Sequence, residues 1–289
     1  MSDFLQLVFS GLAQGAIYGL VALGFVAVFS VREIVNLVQG EYASLAGLTA
    51  ISVVGTGLPL FVAALVAVVV VVLVAVALER LTIAPIKRMT PLLSIILTLG
   101  VSTAVKAAML LIWGPEALRL EPFPGSDFTI GGVSIRAQEL WILGTAAVLG
   151  FLVVRFYEHT LQGKALRACA EQPTAARLVG ISPRTATMVA FAIAGLVGAT
   201  AGVVGAPIYL ASWTSGLTLG LKGFVAATLG GLVSFRVAML GGLMLGVLEN
   251  LVAGYVASGY RDAVAFVVLL LVLLIRPQGL ALKASGVRV

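Results

Sequence analysis

Charge is scarce in this sequence. Its 289 residues include 18 Lys and Arg and 12 Asp and Glu, together 10% of the chain, against about 25% in an ordinary soluble domain. So few charges cannot wet the surface of a water-soluble fold of this size. Hydrophobic residues make up 61% and the mean hydropathy is +1.14, which makes the chain an integral membrane protein.

Other shortages exclude functions. One cysteine, Cys169, leaves no intrachain disulfide. One histidine, His159, argues against a histidine metal site or proton relay, and a Ser-His or Cys-His nucleophile would have to use it. Gly163-Lys164 is followed by Ala165 and lacks the upstream glycine of a phosphate-binding loop, so no nucleotide site is expected here. Metal-dependent chemistry on prenyl or phosphoryl groups needs clustered carboxylates. The nearest acid pairs are Glu116/Glu121 and Glu33/Glu41, and no Asp-x-x-Asp motif occurs. The chain therefore reads as a non-enzyme without cofactor or metal. Its start lacks a basic n-region, so no removed signal peptide is expected.

What is present is a series of long apolar runs: 7–30, 37–54, 60–78, 92–113, 140–157, 186–210, 217–235, 237–257 and 263–275. They exceed barrel strands and do not alternate. A span takes roughly 20 residues, so the prediction is an all-α polytopic membrane protein of about eight or nine transmembrane helices in one domain, 1–289. The count turns on 37–54: a full span gives nine and an outside N-terminus, a broken or re-entrant helix gives eight and an inside one. Asp3, without a nearby cation, favours outside. Gly131-Gly132 between β-branched residues predicts a small hairpin in the loop 114–139.

The net charge of +6 and pI near 9.8 would suit nucleic acid in a soluble protein. Here the cations sit in short loops, where they set orientation, and no nucleic-acid partner is expected. Segment 79–90 has Arg80, Lys87 and Arg88; 158–184 has Lys164, Arg167, Arg177 and Arg184; the tail has Arg276, Lys283 and Arg288. Loop 114–139 has Arg119 and Arg136 beside Glu116, Glu121, Asp127 and Glu139. By the positive-inside rule the first three segments are cytoplasmic and 114–139 is external.

The cytoplasmic loop 158–184 predicts two short helices. Thr160 caps the first, Arg167 and Glu171 pair at i,i+4, Pro173 opens the second, Gly180 stops it, and Ser182-Pro183 starts the next span. Helices this short are marginal alone and need a partner surface. An interfacial connector and a docking site for a cytoplasmic protein fit equally well on physical grounds.

Stretch 163–183 resembles the cytoplasmic loop of permease subunits of branched-chain amino-acid ABC importers, the LivH type. Gly15-Ala16-Ile17-Tyr18-Gly19-Leu20 is similar to that family's first helix, and Asn36-Leu37-Val38-Gln39-Gly40-Glu41 to its Asn-Phe-Ala-His-Gly-Glu motif. Phe224 to Ser234, Gly241 to Gly246 and Pro277-Gln278-Gly279-Leu280 extend the likeness to nearly the whole chain. Gln39 stands where the family often has His, and Arg236-Val237 where Pro-Gly is common. The resemblance implies transport of branched-chain amino acids or related small solutes by alternating access in a bacterial inner membrane. It implies two cytoplasmic ATPase subunits, a second permease (a homologue or a second copy), and a periplasmic or tethered binding protein. By the same analogy 164–181 couples to the ATPases, with Lys164, Arg167, Glu171, Ala175, Ala176 and Gly180 as its candidate contacts. A stand-alone secondary transporter or channel is the alternative.

Charges and amides inside apolar runs are the remaining candidates for a pathway or gate: Asn36, Gln39, Glu41, Lys222 and Glu249. Glu41 either lines a path or holds a broken helix. Lys222 either snorkels or pairs with Glu249. Lys106 is expected to snorkel outward. Glycines 11, 15, 19, 195, 198, 202, 205, 241, 242 and 246 predict close helix crossings, with a permease–permease interface as the sharper reading for those of 195–205 and 241–246. Trp113, Trp141, Trp213 and Tyr157 read as interfacial anchors.

Overall fold

A computed structural model describes residues 2–86, 90–130 and 132–275. Lys87, Arg88, Gly131, the Pro277-Gln278-Gly279-Leu280 stretch and the tail cations Arg276, Lys283 and Arg288 lie outside the described residues.

Among the described residues, nine helices follow the nine apolar runs. They are α1 (Ser2–Arg32), α2 (Gln39–Gly55), α3 (Leu60–Leu78), α4 (Pro91–Trp113), α5 (Ala137–His159), α8 (Pro183–Gly205), α9 (Ser215–Leu229), α10 (Phe235–Tyr255) and α11 (Arg261–Ile275). Between α5 and α8 run the short helices α6 (Leu161–Glu171) and α7 (Pro173–Leu178). A π-helical turn, Glu79–Ile83, extends α3. Counting that turn with α3 and the short 3-10 turn at 258–260 with α11, seven helices are long and apolar enough to cross a membrane. With 17 and 15 residues, α2 and α9 are not; at 1.5 Å per residue they reach roughly 25 and 22 Å, short of a hydrocarbon core of about 30 Å.

Polarity does not mark the inward faces of these helices, because lipid is as apolar as the core; small side chains do. The inward stripe of α3 is Ala63, Ala67, Val71 and Ala75, one residue per turn, while Leu65 and Leu73 stay exposed towards lipid. The most extensive pairing joins α1 to α10. There the two glycine sets predicted for crossings meet. A Cβ on Gly15 would lie 2.5 Å from the Gly242 carbonyl oxygen, and one on Gly11 would lie 2.7 Å from Val247 Cα. The third set, on α8, admits α2 and α3 in the same way: Gly202 lies on Ala43, and Gly195 on Val72 and Ala75. All three sets thus have crossings within this one chain.

The loop after α4 contains the expected hairpin, β1 (Phe128–Ile130) against β2 (Val133–Ile135), with Thr129 opposite Ser134 and a positive φ of 83° at Gly132. Gln6 of α1 bonds the Ser134 backbone in both directions, at 2.8 Å each. The start of α1 and the hairpin therefore share one face of the molecule. Arg32, Arg177 and Arg184 gather on the other, around a common cavity. The N-terminus thus shares the hairpin side, as in the nine-span alternative, although α2 is shorter than the full span that alternative assumed.

Three sequence expectations fail here. Tyr157 is no interfacial anchor: it is fully buried, hydrogen-bonded to the Ala27 carbonyl oxygen at 3.3 Å and stacked on Phe235 at 4.4 Å. Glu79 is not a loop residue but the buried first residue of the π-turn. Arg167 and Glu171 share α6, yet no ion pair within 4.0 Å joins them among the described residues.

Candidate functional site

Two separate polar clusters lie inside the bundle. The first is built where α2 and α9 begin. Leaving α1 at Arg32, the chain runs irregularly through 33–38, with Ile34, Asn36 and Val38 buried. Irregular backbone at membrane depth is tolerated where protein surrounds it. Asn36 Oδ1 accepts from the Val38 amide at 3.3 Å and fixes this turn. The Gln39 side chain then anchors the start of α2, donating to the Ala194 carbonyl oxygen of α8 at 3.0 Å. Gly24 of α1 leaves the space for that amide; a methyl group there would overlap it.

Gly40 packs directly on the backbone of Gly216 and Gly220, so the first turns of α2 and α9 touch. Ser44 and Ser215 join their hydroxyls across this contact at 2.9 Å. Glu41 is 1% exposed. Its Oε1 accepts from Ser102 at 3.0 Å and lies 3.5 Å from Lys106 Nζ. Its Oε2 has no hydrogen-bond partner among the described residues and faces Gly216, where a Cβ would strike it. Ser102 is the central residue of α4, which puts this carboxylate at mid-height. Lys106 therefore does not snorkel: its ammonium turns inward because a buried carboxylate is the nearest counter-charge.

The second cluster joins α1, α9, α10 and α11. Lys222, the central residue of α9, is 5% exposed and does not snorkel either. Its Nζ lies 3.0 Å from Glu249 Oε2, 2.8 Å from Asp262 Oδ1 and 3.2 Å from the Tyr18 hydroxyl. Tyr18 donates to Glu249 Oε2 at 2.8 Å and accepts from Gln14 at 2.7 Å. Beside it Arg261 donates to Asn250 at 2.6 Å. One buried cation thus meets a buried carboxylate, a phenol and a second, largely exposed carboxylate; removing the buried carboxylate leaves the ammonium under-compensated in a low-dielectric interior. Tyr18, Asp262, Ser102 and Lys106 are the partners that sequence reasoning missed.

A third buried acid, Glu79, faces a cavity of about 340 Å³ that Arg32, Arg177 and Arg184 also line. Among the described residues neither of its oxygens has a hydrogen-bond partner, and its ion-pair contact is with Arg80, at 3.9 Å.

The 158–184 segment folds as expected. Thr160 accepts from the Gly163 amide at 3.0 Å, Pro173 opens α7, and Ser182 caps α8 at 3.4 Å. Gly180 ends α7 with a φ of 82°, and the Ile181 amide reaches back to the Ala176 carbonyl oxygen at 2.9 Å. That left-handed turn suits glycine. Gly163, Leu166, Cys169 and Ala176 face the protein. Burial pushes the Cys169 thiol above its ordinary range, so it behaves as a small apolar residue. Lys164, Glu171, Ala175 and Gly180 are exposed. So are Leu161, Leu178 and Val179, at 85%, 85% and 74%. Of the six candidate contacts, Ala176 alone is buried, and Arg167 is half-buried.

The sequence profile of the family described as branched-chain amino acid transport system / permease component matches residues 7–273. The chain is 31% identical to the high-affinity branched-chain amino acid transport system permease protein LivH of Escherichia coli K12, over 96% of this chain and 95% of that protein. It is 30% identical to the corresponding permease protein BraD of Pseudomonas aeruginosa, with the same coverage of 96% and 95%. The fold is similar to a chain of PsaBC from Streptococcus pneumoniae, solved in complex with Fab, at a TM-score of 0.53 and 16% identity over 95% of this chain and 92% of that one.

Proposed function

Because this chain belongs to the branched-chain amino acid permease family, we propose that it forms half of the translocation path of an ATP-driven importer for branched-chain amino acids or related small solutes. Its place is a bacterial inner membrane, beside a second permease, with two ATPase subunits on the basic face and a binding protein on the hairpin face. The observation that carries this reading is the outer surface of α6 and α7. Three large aliphatic side chains stand in the open at 161, 178 and 179, next to the arginines of the basic face. Such a patch fits a protein partner better than water.

Motion would pass from α6 and α7 into the bundle. Leu166, Cys169 and Ala176 are continuous with the main hydrophobic core, which also holds Tyr157, Ala186 and Phe235. A force on the two short helices would reach the inner ends of α5, α8 and α10, and α10 is locked to α1 through their glycines. Alternating access would then shift the abutting starts of α2 and α9. There Glu41 offers a carboxylate for the ammonium group of a zwitterionic solute, and Ser44 and Ser215 offer hydroxyls.

The test is co-purification. ATPase subunits expressed with this chain should be retained by the intact protein and lost when 161–181 is replaced by a Gly/Ser linker, at unchanged membrane level. Retention by the linker variant overturns the docking assignment.

A further inference from the structure

A groove of about 460 Å³ runs between α5 and α10 on the lipid-facing side of the bundle. Its wall is apolar, made by Gly150, Phe151, Met239 and Leu240, and its end on the basic face is formed by Arg155, His159 and Arg236. The larger groove at the opposite end of α5, about 670 Å³, has no charged lining residue. Of the two grooves along α5, only this one joins an apolar wall to a cluster of cations.

Each cation has a distinct situation. Arg236 sits in the first turn of α10, where the helix dipole disfavours positive charge. It pairs with Glu158, whose carboxylate also lies 3.9 Å from His159. Arg155, one helical turn before His159, is exposed and has no ion-pair partner among the described residues. Two guanidinium groups thus stand at the mouth of an apolar channel, Arg236 paired with Glu158 and Arg155 without an ion-pair partner among the described residues. Guanidinium recognises phosphate through a planar fork.

We propose that this groove is a binding site for an anionic phospholipid of the cytoplasmic leaflet. The headgroup phosphate sits against Arg155 and Arg236, and an acyl chain lies along Gly150, Phe151 and Met239. The assignment to that leaflet rests on the orientation proposed above; the preference for an anionic lipid rests on the groove alone. Basic pockets between membrane helices bind acidic headgroups in this manner. The bound lipid would brace the junction at Tyr157 and Phe235, from which α6 departs.

The experiment uses the full chain in nanodiscs containing phosphatidylglycerol and phosphatidylcholine with identical acyl chains. Lipid retained after extraction is counted by native mass spectrometry. The wild type should retain phosphatidylglycerol preferentially. Arg155→Gln, which breaks no ion pair, should weaken that retention about fivefold. Gly150→Leu should displace the acyl chain and lower retention of both lipids. Equal retention of the two lipids by the wild type, or an unchanged preference in Arg155→Gln, overturns the proposal. So does a disulfide between two copies carrying Phe151→Cys, which would show a second chain in the groove. The outcome is independent of ATPase docking, so it separates from the failure of the transport reading.

Discussion

Lys222 Nζ and Glu249 Oε2 stand 3.0 Å apart between the middles of two neighbouring helices, with the Tyr18 hydroxyl bonded to both. Asp262 completes the set from the first turn of α11, but its side chain is 68% exposed, whereas that of Glu249 is fully buried. The two acids should therefore differ in weight. Glu249→Gln leaves the buried ammonium under-compensated and should cost about 3–5 kcal/mol. Asp262→Asn should cost about 1 kcal/mol or less. Thermal unfolding of the purified variants in detergent reads the difference; equal losses would refute the division into buried and surface partners.

The glycine seam between α1 and α10 admits no side chain. Gly15→Leu and Gly246→Leu each drive a side chain into facing backbone, which cannot yield as a flexible side chain can. Overpacking of this kind should destabilise by about 3 kcal/mol or more and lower the membrane level. Gly100→Ala and Gly144→Ala meet nothing within 4 Å and should be neutral. Fluorescence-detected size exclusion of tagged variants distinguishes the two groups.

At the first cluster, Glu41→Gln keeps the shape and the Ser102 hydrogen bond but removes the charge. Uptake by the full assembly should fall by about tenfold, the worth of roughly 1.4 kcal/mol at the path, while assembly is kept. Gly216→Ala, whose methyl meets the Glu41 carboxylate, should reduce uptake similarly. Normal uptake in both variants removes Glu41 from the pathway.

The 158–184 loop yields a contrast within thirteen residues, 167–179. Leu178→Asp and Val179→Asp change exposed side chains. They should abolish ATPase co-purification without lowering the membrane level. Arg167→Glu, on half-buried ground, should uncouple hydrolysis from uptake. Ala176→Asp buries an unpaired carboxylate against the core and should instead destabilise the loop by about 2 kcal/mol or more. Protease sensitivity of the 161–181 segment checks this last outcome.

Much of this architecture was legible in the amino-acid order. The apolar runs mark nine helices, Gly131-Gly132 marks the hairpin, and Thr160, Pro173, Gly180 and Ser182 delimit α6 and α7. The glycine sets foretell crossings, because small residues are the one inward signal when both faces of a helix are apolar. Depth and facing were not legible. Nothing local tells that Lys106 turns in to Glu41, a partner 65 positions earlier in the chain, or that Tyr157 is sealed under Phe235. The pairing of Lys222 with Glu249 could be guessed from their positions within apolar runs. The arrival of Tyr18 and Asp262 depends on how four helices meet, which no short window contains.

The most direct measurement is solute uptake into proteoliposomes, comparing this chain alone with the chain plus the proposed second permease, ATPases and binding protein. Accumulation is expected only with the complete assembly, dependent on ATP and abolished by Leu178→Asp with Val179→Asp. Accumulation against a gradient by this chain alone would contradict the proposed function.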